Sequence, residues 1–489
     1  MTVAVSIIFG WLIITTIVGV MAGRNQAFSM ENYFVGGRSF GTFLFYTTAA
    51  AEIYSAFAFL GLAGWSYSKG MSIVYAMIYS SIAYGLYFFI GPRINRLGSR
   101  LHYVSQPDYI EDRYESRWLG VFVAVIGVIF TIPYLQLQIM GAGMIVQLAS
   151  GGAISWKIAV VISFIAAVIF VYVSGLRGIG WTNFLQAIIM LFGMVGIGFV
   201  FPHRFFGGTA KVWEILQEIK PTHLSLPDSS GLGIFWVFSV AFICGLGFWM
   251  WPHIFTATYA AKSEKVVRKN AVILPLYSLT MIPIIVVGFT CAAKAGIDPA
   301  FAETITKPDH AMLIALVKNF PPVLAGFIGA GGLAASISTS SGLILTASNL
   351  LARNVIQKGF APDMPDMKVA KLGRAFVPVL TILAVLLAIF APSMLVSLLL
   401  VGYSGVTQFF PAVVLGLFAK WQTKTGIVLG LLAGLATVIA IKFMGVPSPM
   451  GLHEGFVGLI VNFIVVIAVS TVTPKLSTKT LERFESTLS

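Results

Sequence analysis

The chain has 489 residues, of which 58% are hydrophobic and 10% charged, and its mean hydropathy is +0.91; an ordinary soluble domain carries about 25% charged residues. Water is thereby excluded as the solvent for most of its surface. The formal net charge of +13 is of the kind that attracts nucleic acid or an acidic surface, so the placement of the charges decides its meaning.

Apolar stretches long enough to cross a hydrocarbon core of about 30 Å recur at 3–22, 41–67, 71–92, 118–148, 155–175, 180–202, 231–260, 271–294, 321–351, 375–392, 394–418, 425–444 and 455–473. They predict an all-α membrane protein of about thirteen helices, because a backbone in lipid must satisfy its polar groups internally. Their length and lack of alternation exclude a barrel. Of the 31 Lys and Arg residues, 22 fall in one alternate set of connections, among them Arg93, Arg96, Arg100, Arg113, Arg117, Lys262, Lys265, Arg353, Lys358, Lys475 and Arg483. By the positive-inside rule that set is cytoplasmic, which puts the N-terminus outside and the C-terminus inside and requires an odd number of spans. The charge thus faces the lipid bilayer; no nucleic-acid partner and no obligate protein partner is expected, and the cytoplasmic membrane is the expected location.

The first span lacks a basic segment ahead of it and a small-residue cleavage site after it, and reads as a retained helix. Cys244 and Cys291 fall inside spans and read as packing residues. The longest polar connections, 93–117, 203–230 and 295–320, leave no room for a separate soluble domain, so residues 1–489 read as one membrane domain. Connection 203–230 is expected to hold short helical pieces, and 311–319 to lie on the membrane interface. Two spans are interrupted as transporter helices often are: AAAEIYSAFAFLGLAG carries Gly61 and Gly64, and FICGLGFWMWPHI carries Gly245, Gly247 and Pro252. Gly and Pro at that depth let a helix unwind and present backbone groups to a cavity.

Among 18 Asp and Glu residues only Glu52 lies well inside a span, where a carboxylate costs roughly 2.5–3.5 kcal/mol. Its chemistry fits a cation ligand, a proton carrier, or a carboxyl that bonds a neighbouring helix end. Ala335, Ser338 and Thr339 are spaced i, i+3, i+4 and share one helix face. Hydroxyl oxygens there, beside carbonyls of an unwound helix, are hard ligands; small and hydroxylated residues also serve helix packing. His253 is the single histidine of six within a span, beside Pro252. Gln136, Gln138, Trp249, Tyr403 and Gln408 are the other deep polar or amphipathic side chains, fit either to bond a substrate or to join helices.

Tyr33-Phe34-Val35-Gly36-Gly37-Arg38-Ser39, then Ser174-Gly175-Leu176-Arg177 with Trp181-Thr182-Asn183-Phe184-Leu185-Gln186, then Ala335 to Ser341 with Ala347-Ser348-Asn349, look in this order like the sodium:solute symporters over roughly residues 30–420. The resemblance implies a five-plus-five inverted-repeat, broken-helix fold: an extra helix at 3–22, repeats at 41–202 and 231–418, two C-terminal helices within 425–473, and a cytoplasmic tail at 474–489. It also implies Na+ as the coupling ion, held by carbonyls of Ala51, Tyr54 and Ala335 and hydroxyls of Ser338 and Thr339. Many members carry Asp where this chain has Asn183, so one coupled cation is expected in spite of Ser341, and whether Glu52 supplies the missing charge is left open.

Glu52-Ile53-Tyr54, Val104-Ser105-Gln106-Pro107, Ile132 to Gln138 and Trp251-Pro252-His253 look most like the monocarboxylate and organic-acid branch. The implied activity is Na+-coupled symport of a small organic anion, with Ser55, Phe57, Gln136, Gln138, Trp249, His253, Tyr403 and Gln408 as candidate substrate contacts. Symport of an amino acid or pantothenate, and proton-coupled uptake, remain as alternatives. An enzyme is not expected, since the sequence has no His-Glu metal motif, nucleophile elbow or phosphate loop. A transporter-shaped sensor is disfavoured by the short tail after the last span.

Overall fold

A computed structural model describes residues 2–24, 27–226 and 231–489; Pro227, expected in the outer connection, lies outside them. The principal helices are α1 Thr2–Gly23, α2 Thr42–Ile53, α3 Leu62–Lys69, α4 Tyr75–Leu101, α5 Arg117–Ala149, α6 Trp156–Phe206, α7 Ile234–Gly247, α8 Pro252–Ala260, α9 Glu264–Ser278, α10 Met281–Ile297, α11 Pro322–Asn349, α12 Asp366–Phe390, α13 Leu395–Val406, α14 Phe410–Phe418, α15 Lys424–Phe443, α16 Glu454–Val472 and α17 Thr478–Leu488. No β-strand occurs among the described residues; one isolated parallel bridge joins Phe40 to Ala261.

Ten helices among the described residues are long and apolar enough to cross a membrane, or up to eleven when α7 and α8, bent by 45°, count as one span. Hydropathy gives thirteen spans; the counts differ because two helical runs, 57–101 over 45 residues and 156–206 over 51, each count once although each spans two expected crossings. At 1.5 Å per residue these runs measure about 68 and 77 Å, against a hydrocarbon core of about 30 Å. Each is interrupted by a glycine with positive φ: Gly70 (φ 61°, ψ −137°) and Gly175 (φ 56°, ψ −147°). Neither site has room for a side chain, since a Cβ would stand 2.3 Å from the His223 carbonyl at Gly70 and 2.3 Å from the Tyr33 carbonyl at Gly175.

The core is organised around α11. Its residues 328–349 are all buried, and its Gly, Ala and Ser content permits close helix approach without large side chains. α11 packs against α5, α6 and α1; at the last contact Gly326 faces Ala4 and Ile7 so closely that a Cβ would lie 3.0 Å or less from them. Outward-facing apolar side chains such as Phe192, Phe199, Phe390 and Val472 are more than two-thirds exposed, which water disfavours and lipid does not. The 203–230 connection holds the helix Thr209–Ile219 and the turn Pro221–Leu224. Segment 311–319, expected on the interface, is a nine-residue helix with Ala311–Leu316 all buried. Contacts with α3, α5 and α10 cover it, so protein and not headgroups receives its apolar side.

On the basic side of the bundle the short helix Gln106–Arg113, capped by Ser105, carries buried Asp108. Asp108 pairs with Lys358 at 2.9 Å, lies 3.6 Å from Arg353, and accepts from Asn354 at 3.0 Å and the Val104 amide at 3.0 Å. Burial alone raises its pKa, but Lys358, Arg353 and the amide outweigh burial and hold it at about 2.

Gly175→Ala is expected to destabilise the detergent-solubilised protein, because a side chain at that φ and ψ costs about 1–3 kcal/mol before the clash with Tyr33 is counted. Gly196→Ala, at an exposed helical position with open space around it, leaves the melting temperature unchanged or raises it; equal melting temperatures for the two variants contradict this reading.

Candidate functional site

The site begins where α2 ends. Tyr54 donates its amide to Ala50 at 3.1 Å and then leaves helical geometry at φ −91°, ψ 90°. The chain resumes after Ser55 in a wide turn, 57–61, that leads into α3. The break thus lies at Tyr54–Ser55 and not at Gly61 or Gly64. Those glycines serve close approach: a Cβ on Gly64 would lie 2.6 Å from the Asp309 carboxylate, and one on Gly61 would touch Val396. Inside the break, the Ala56 amide takes the Gln138 Oε1 at 2.9 Å. That amide is the i+4 partner the Glu52 carbonyl would have in an unbroken helix, so the Glu52 carbonyl is left free.

α11 fills the vacancy. Ser338 Oγ donates to the Ala51 carbonyl at 2.7 Å and lies 3.0 Å from the Ala335 carbonyl, while Thr339 Oγ1 donates to the Glu52 carbonyl at 3.0 Å. Four of the five residues expected to hold a cation, Ala51, Ala335, Ser338 and Thr339, therefore meet at one fully buried place. The fifth does not join them through a hydrogen bond: Thr339 meets Glu52 in place of Tyr54, whose side chain anchors elsewhere, donating to the Tyr277 carbonyl at 2.6 Å and packing edge-on against its ring. Carbonyl and hydroxyl oxygens so converged suit a hard cation. No group of three or more His, Cys, Asp or Glu residues with metal-binding geometry occurs among the described residues, so this donor set does not suit a transition metal.

Glu52 is 1% exposed, and its carboxylate lies against Gly342, one turn along α11 from Ser338: a Cβ there would stand 3.0 Å from Oε1. Oε1 has no hydrogen-bond partner. Asn183 reaches the Thr48 carbonyl through Nδ2 at 3.4 Å and keeps Oδ1 unpartnered, whereas Ser341 bonds back to Ile337 of its own helix at 2.6 Å. No hydrogen bond joins Asn183 to Ser341.

The second break separates α7 from α8 at Phe248–Trp251, where Trp251 has ψ 125°. Around it stand Trp251, Tyr134 at 4.8 Å between ring centroids, Tyr403 at 5.3 Å and His253 at 6.0 Å. The Tyr134 hydroxyl faces Ser55 and the Glu52 carboxylate, so this aromatic group spans both breaks. His253 is 2% exposed with both ring nitrogens unpartnered, as is Gln138 Nε2. Ser55 accepts from the Phe57 amide at 3.2 Å, and Phe57 begins the wide turn.

Three of the expected substrate contacts are bonded to other helices. Gln136 donates to the Leu387 and Ala391 carbonyls at the end of α12; two residues from Gln138 on a helix, it points to the opposite side. Gln408 donates to the Ser404 and Gly455 carbonyls at 3.1 Å and accepts from Asn462, tying α13 to α16. Trp249 donates to the Ala83 carbonyl at 2.7 Å and stacks on Tyr87. Sequence reasoning did not single out Tyr134 as a contact and chose Trp249 over Trp251; the available signal was their position, Tyr134 directly after Pro133 and Trp251 directly before Pro252.

The family profile described as "Sodium:solute symporter family" matches residues 33–434. The uncharacterized symporter YhjB of Bacillus subtilis (strain 168) is 35% identical over 486 residues, covering 97% of this chain and 98% of the relative. A monocarboxylate transport permease protein of Rhizobium johnstonii is 25% identical (96% and 97% covered), and a sodium/proline symporter of Staphylococcus aureus (strain JH9) is 26% identical (95% and 92% covered). The solved structure of a Na+-coupled sialic acid symporter superposes with a TM-score of 0.82 at 18% identity over 97% of this chain and 99% of that one, a likeness of fold. The chain belongs to the sodium:solute symporter family.

Proposed function

We propose that this multi-pass membrane protein couples the inward Na+ gradient to symport of a small organic anion, a monocarboxylate foremost. The observation that carries the ion half is the donation of Ser338 and Thr339 to carbonyls freed at the break of α2. In this reading the carbonyls of Ala51, Tyr54 and Ala335 and the two hydroxyls hold one Na+, and the hydroxyl protons turn away from the ion as it enters. Bound Na+ would supply a positive charge that joins α2 to α11. Asn183 offers only an amide where many members carry Asp, so one Na+ per cycle is the expected stoichiometry.

The substrate half rests on the side chains gathered between the breaks: Tyr134, Trp251 and Tyr403 form an aromatic cluster, and His253 and Gln138 keep unpartnered nitrogens beside it. No Lys or Arg is among them, so a carboxylate would be met by Gln138, by a ring N–H of His253 and by the positive end of α8. Similarity to a monocarboxylate permease supports this class, and similarity at equal distance to a proline symporter favours the amino-acid alternative, in which Glu52 would face the substrate ammonium. The fold reading completes the picture: division of the long runs at Gly70 and Gly175 gives about thirteen crossings, with α2/α3 and α7/α8 as the first helices of two inverted halves, the N-terminus outside and the C-terminus in the cytoplasm.

Uptake of radiolabelled monocarboxylates and amino acids into proteoliposomes tests this directly. The expected result is accumulation of one class only under an inward Na+ gradient, with the Na+ dependence lost in Ser338→Ala with Thr339→Ala; uptake driven equally by a proton gradient in both proteins contradicts the ion assignment. His253→Phe is expected to raise the apparent KM about tenfold or more, the value of one hydrogen bond to a charged group, while Gln136→Leu leaves KM within error. A KM effect of Gln136→Leu that matches His253→Phe places the pocket elsewhere.

A further inference from the structure

The last helix, α17, lies on the basic side of the bundle and is amphipathic, with Thr480, Phe484 and Thr487 buried. Its hydroxyl cap Ser477 accepts from the Thr480 amide at 3.2 Å and also bonds Glu115. Arg483 pairs with Asp112, and Glu485 with Lys420 at 2.8 Å. At its other end, Arg100 donates to the Thr487 carbonyl at 2.8 Å and Arg96 to the Leu488 carbonyl, cations from α4 placed where the helix dipole is negative. Phe484 enters beneath, edge-on to Tyr109 at 6.2 Å and under the Arg113 guanidinium at 5.4 Å.

What α17 holds is the loop helix 106–113. The opposite side of that helix reaches the two elements that carry the candidate site: Tyr109 stacks on Phe255 of α8 at 6.3 Å, and Asp108 pairs with Lys358 and Asn354 just beyond α11. Tyr103, which precedes the loop helix, accepts Arg38 at its carbonyl, and Arg38 also reaches the Tyr259 carbonyl near the end of α8. Two routes lead from α17 towards α8: through α4, whose Arg96 and Arg100 hold the last carbonyls of α17 while Asn95 donates to the Thr258 and Ala261 carbonyls, and through 106–113, which Phe484 and Arg483 touch.

The seat is built for release. Two cavities flank α17, one of about 390 Å³ bordered by Asp108, Glu111, Arg117, Lys358 and Thr480, and one of about 300 Å³ bordered by Arg93, Arg113, Phe418, Phe484 and Leu488. Arg113 keeps Nη1 without a partner between them. Its ion pairs are exposed, with Lys420 and Glu485 both 61% accessible, so each contributes little and is screened by salt. A single aromatic side chain and a set of screened polar contacts can dock and undock where a close-packed helix cannot.

We propose that α17 is an intramolecular latch: docked, it clamps the 106–113 helix onto the inner ends of α8 and α11 and keeps that side of the protein closed, and its release permits opening there. The latch rests on the transport reading for its purpose but not for its detection. Hydrogen exchange of the α8 amides in the full-length protein reads it out without a substrate, because Phe484 and Arg483 touch the loop helix and the loop helix packs on α8. Phe484→Ala with Arg483→Glu is expected to speed α8 exchange about fivefold or more, the low end of coupling between two sites, with exchange in α15 and α16 unchanged. Conversely, in a Cys244→Ser, Cys291→Ser background, Asp112→Cys joined to Arg483→Cys by a short bis-maleimide is expected to slow α8 exchange relative to the unjoined protein. Equal α8 exchange in the released, native and joined proteins overturns the latch. Exchange that follows the latch in a protein that accumulates no solute with Na+ overturns the transport reading and leaves the latch standing.

Discussion

The rest of the structure depends on how the carbonyls freed between Ala51 and Ser55 are satisfied. In a membrane interior each unpaired backbone group costs several kcal/mol, so α2 can stop at mid-depth only if another element brings donors. α11 brings Ser338 and Thr339, and α5 brings Gln138 to the amide on the far side of the break. This demand explains why α11 is a run of small and hydroxylated residues buried along its length: larger side chains would hold the two backbones apart. It also explains why α1 and α6 close around α11 at glycine contacts, since a helix with so little side-chain surface needs neighbours at close range.

In the proposed reading, the same contacts make the break responsive to an ion. A hydroxyl that donates to a carbonyl leaves both oxygens within reach of one cation, and exchange of proton for ion as the bridging charge alters the attraction between α2 and α11 without moving either far. The aromatic group at the second break faces the first through Tyr134, beside Ser55 and Glu52. In the proposed reading, ion and solute have neighbouring places on the same interrupted helix. α8 and the segment that follows α11 are tied to the 106–113 helix by Phe255–Tyr109 and Lys358–Asp108, so the second break and the basic face are joined by direct contacts.

Much of this was legible in the sequence. Glu52 as the lone deep acid, the i, i+3, i+4 face of Ala335, Ser338 and Thr339, and the family resemblance all pointed to one place, and the structure brings α2 and α11 together there. The depth of the interruptions was less legible. Gly61 and Gly64 drew attention because glycine permits unwinding, yet both are helical and admit neighbouring groups, and the chain unwinds at Tyr54–Ser55, where an α5 glutamine and two α11 hydroxyls compensate. Gln136 and Gln138 have the same composition and depth and opposite roles, because two residues turn a helix side chain about 200°. Hydropathy marked apolar length well but not where helix geometry fails, which within the two long runs happens at Gly70 and Gly175.

The central claim is that freed carbonyls and facing hydroxyls form an ion site in the protein without substrate. Titration calorimetry of the purified protein with NaCl, against KCl at equal ionic strength, tests it most directly. The account predicts saturable heat with Na+ and none with K+. Identical heats for the two salts, or no saturation with Na+, would contradict it and leave the hydroxyl contacts as helix packing alone.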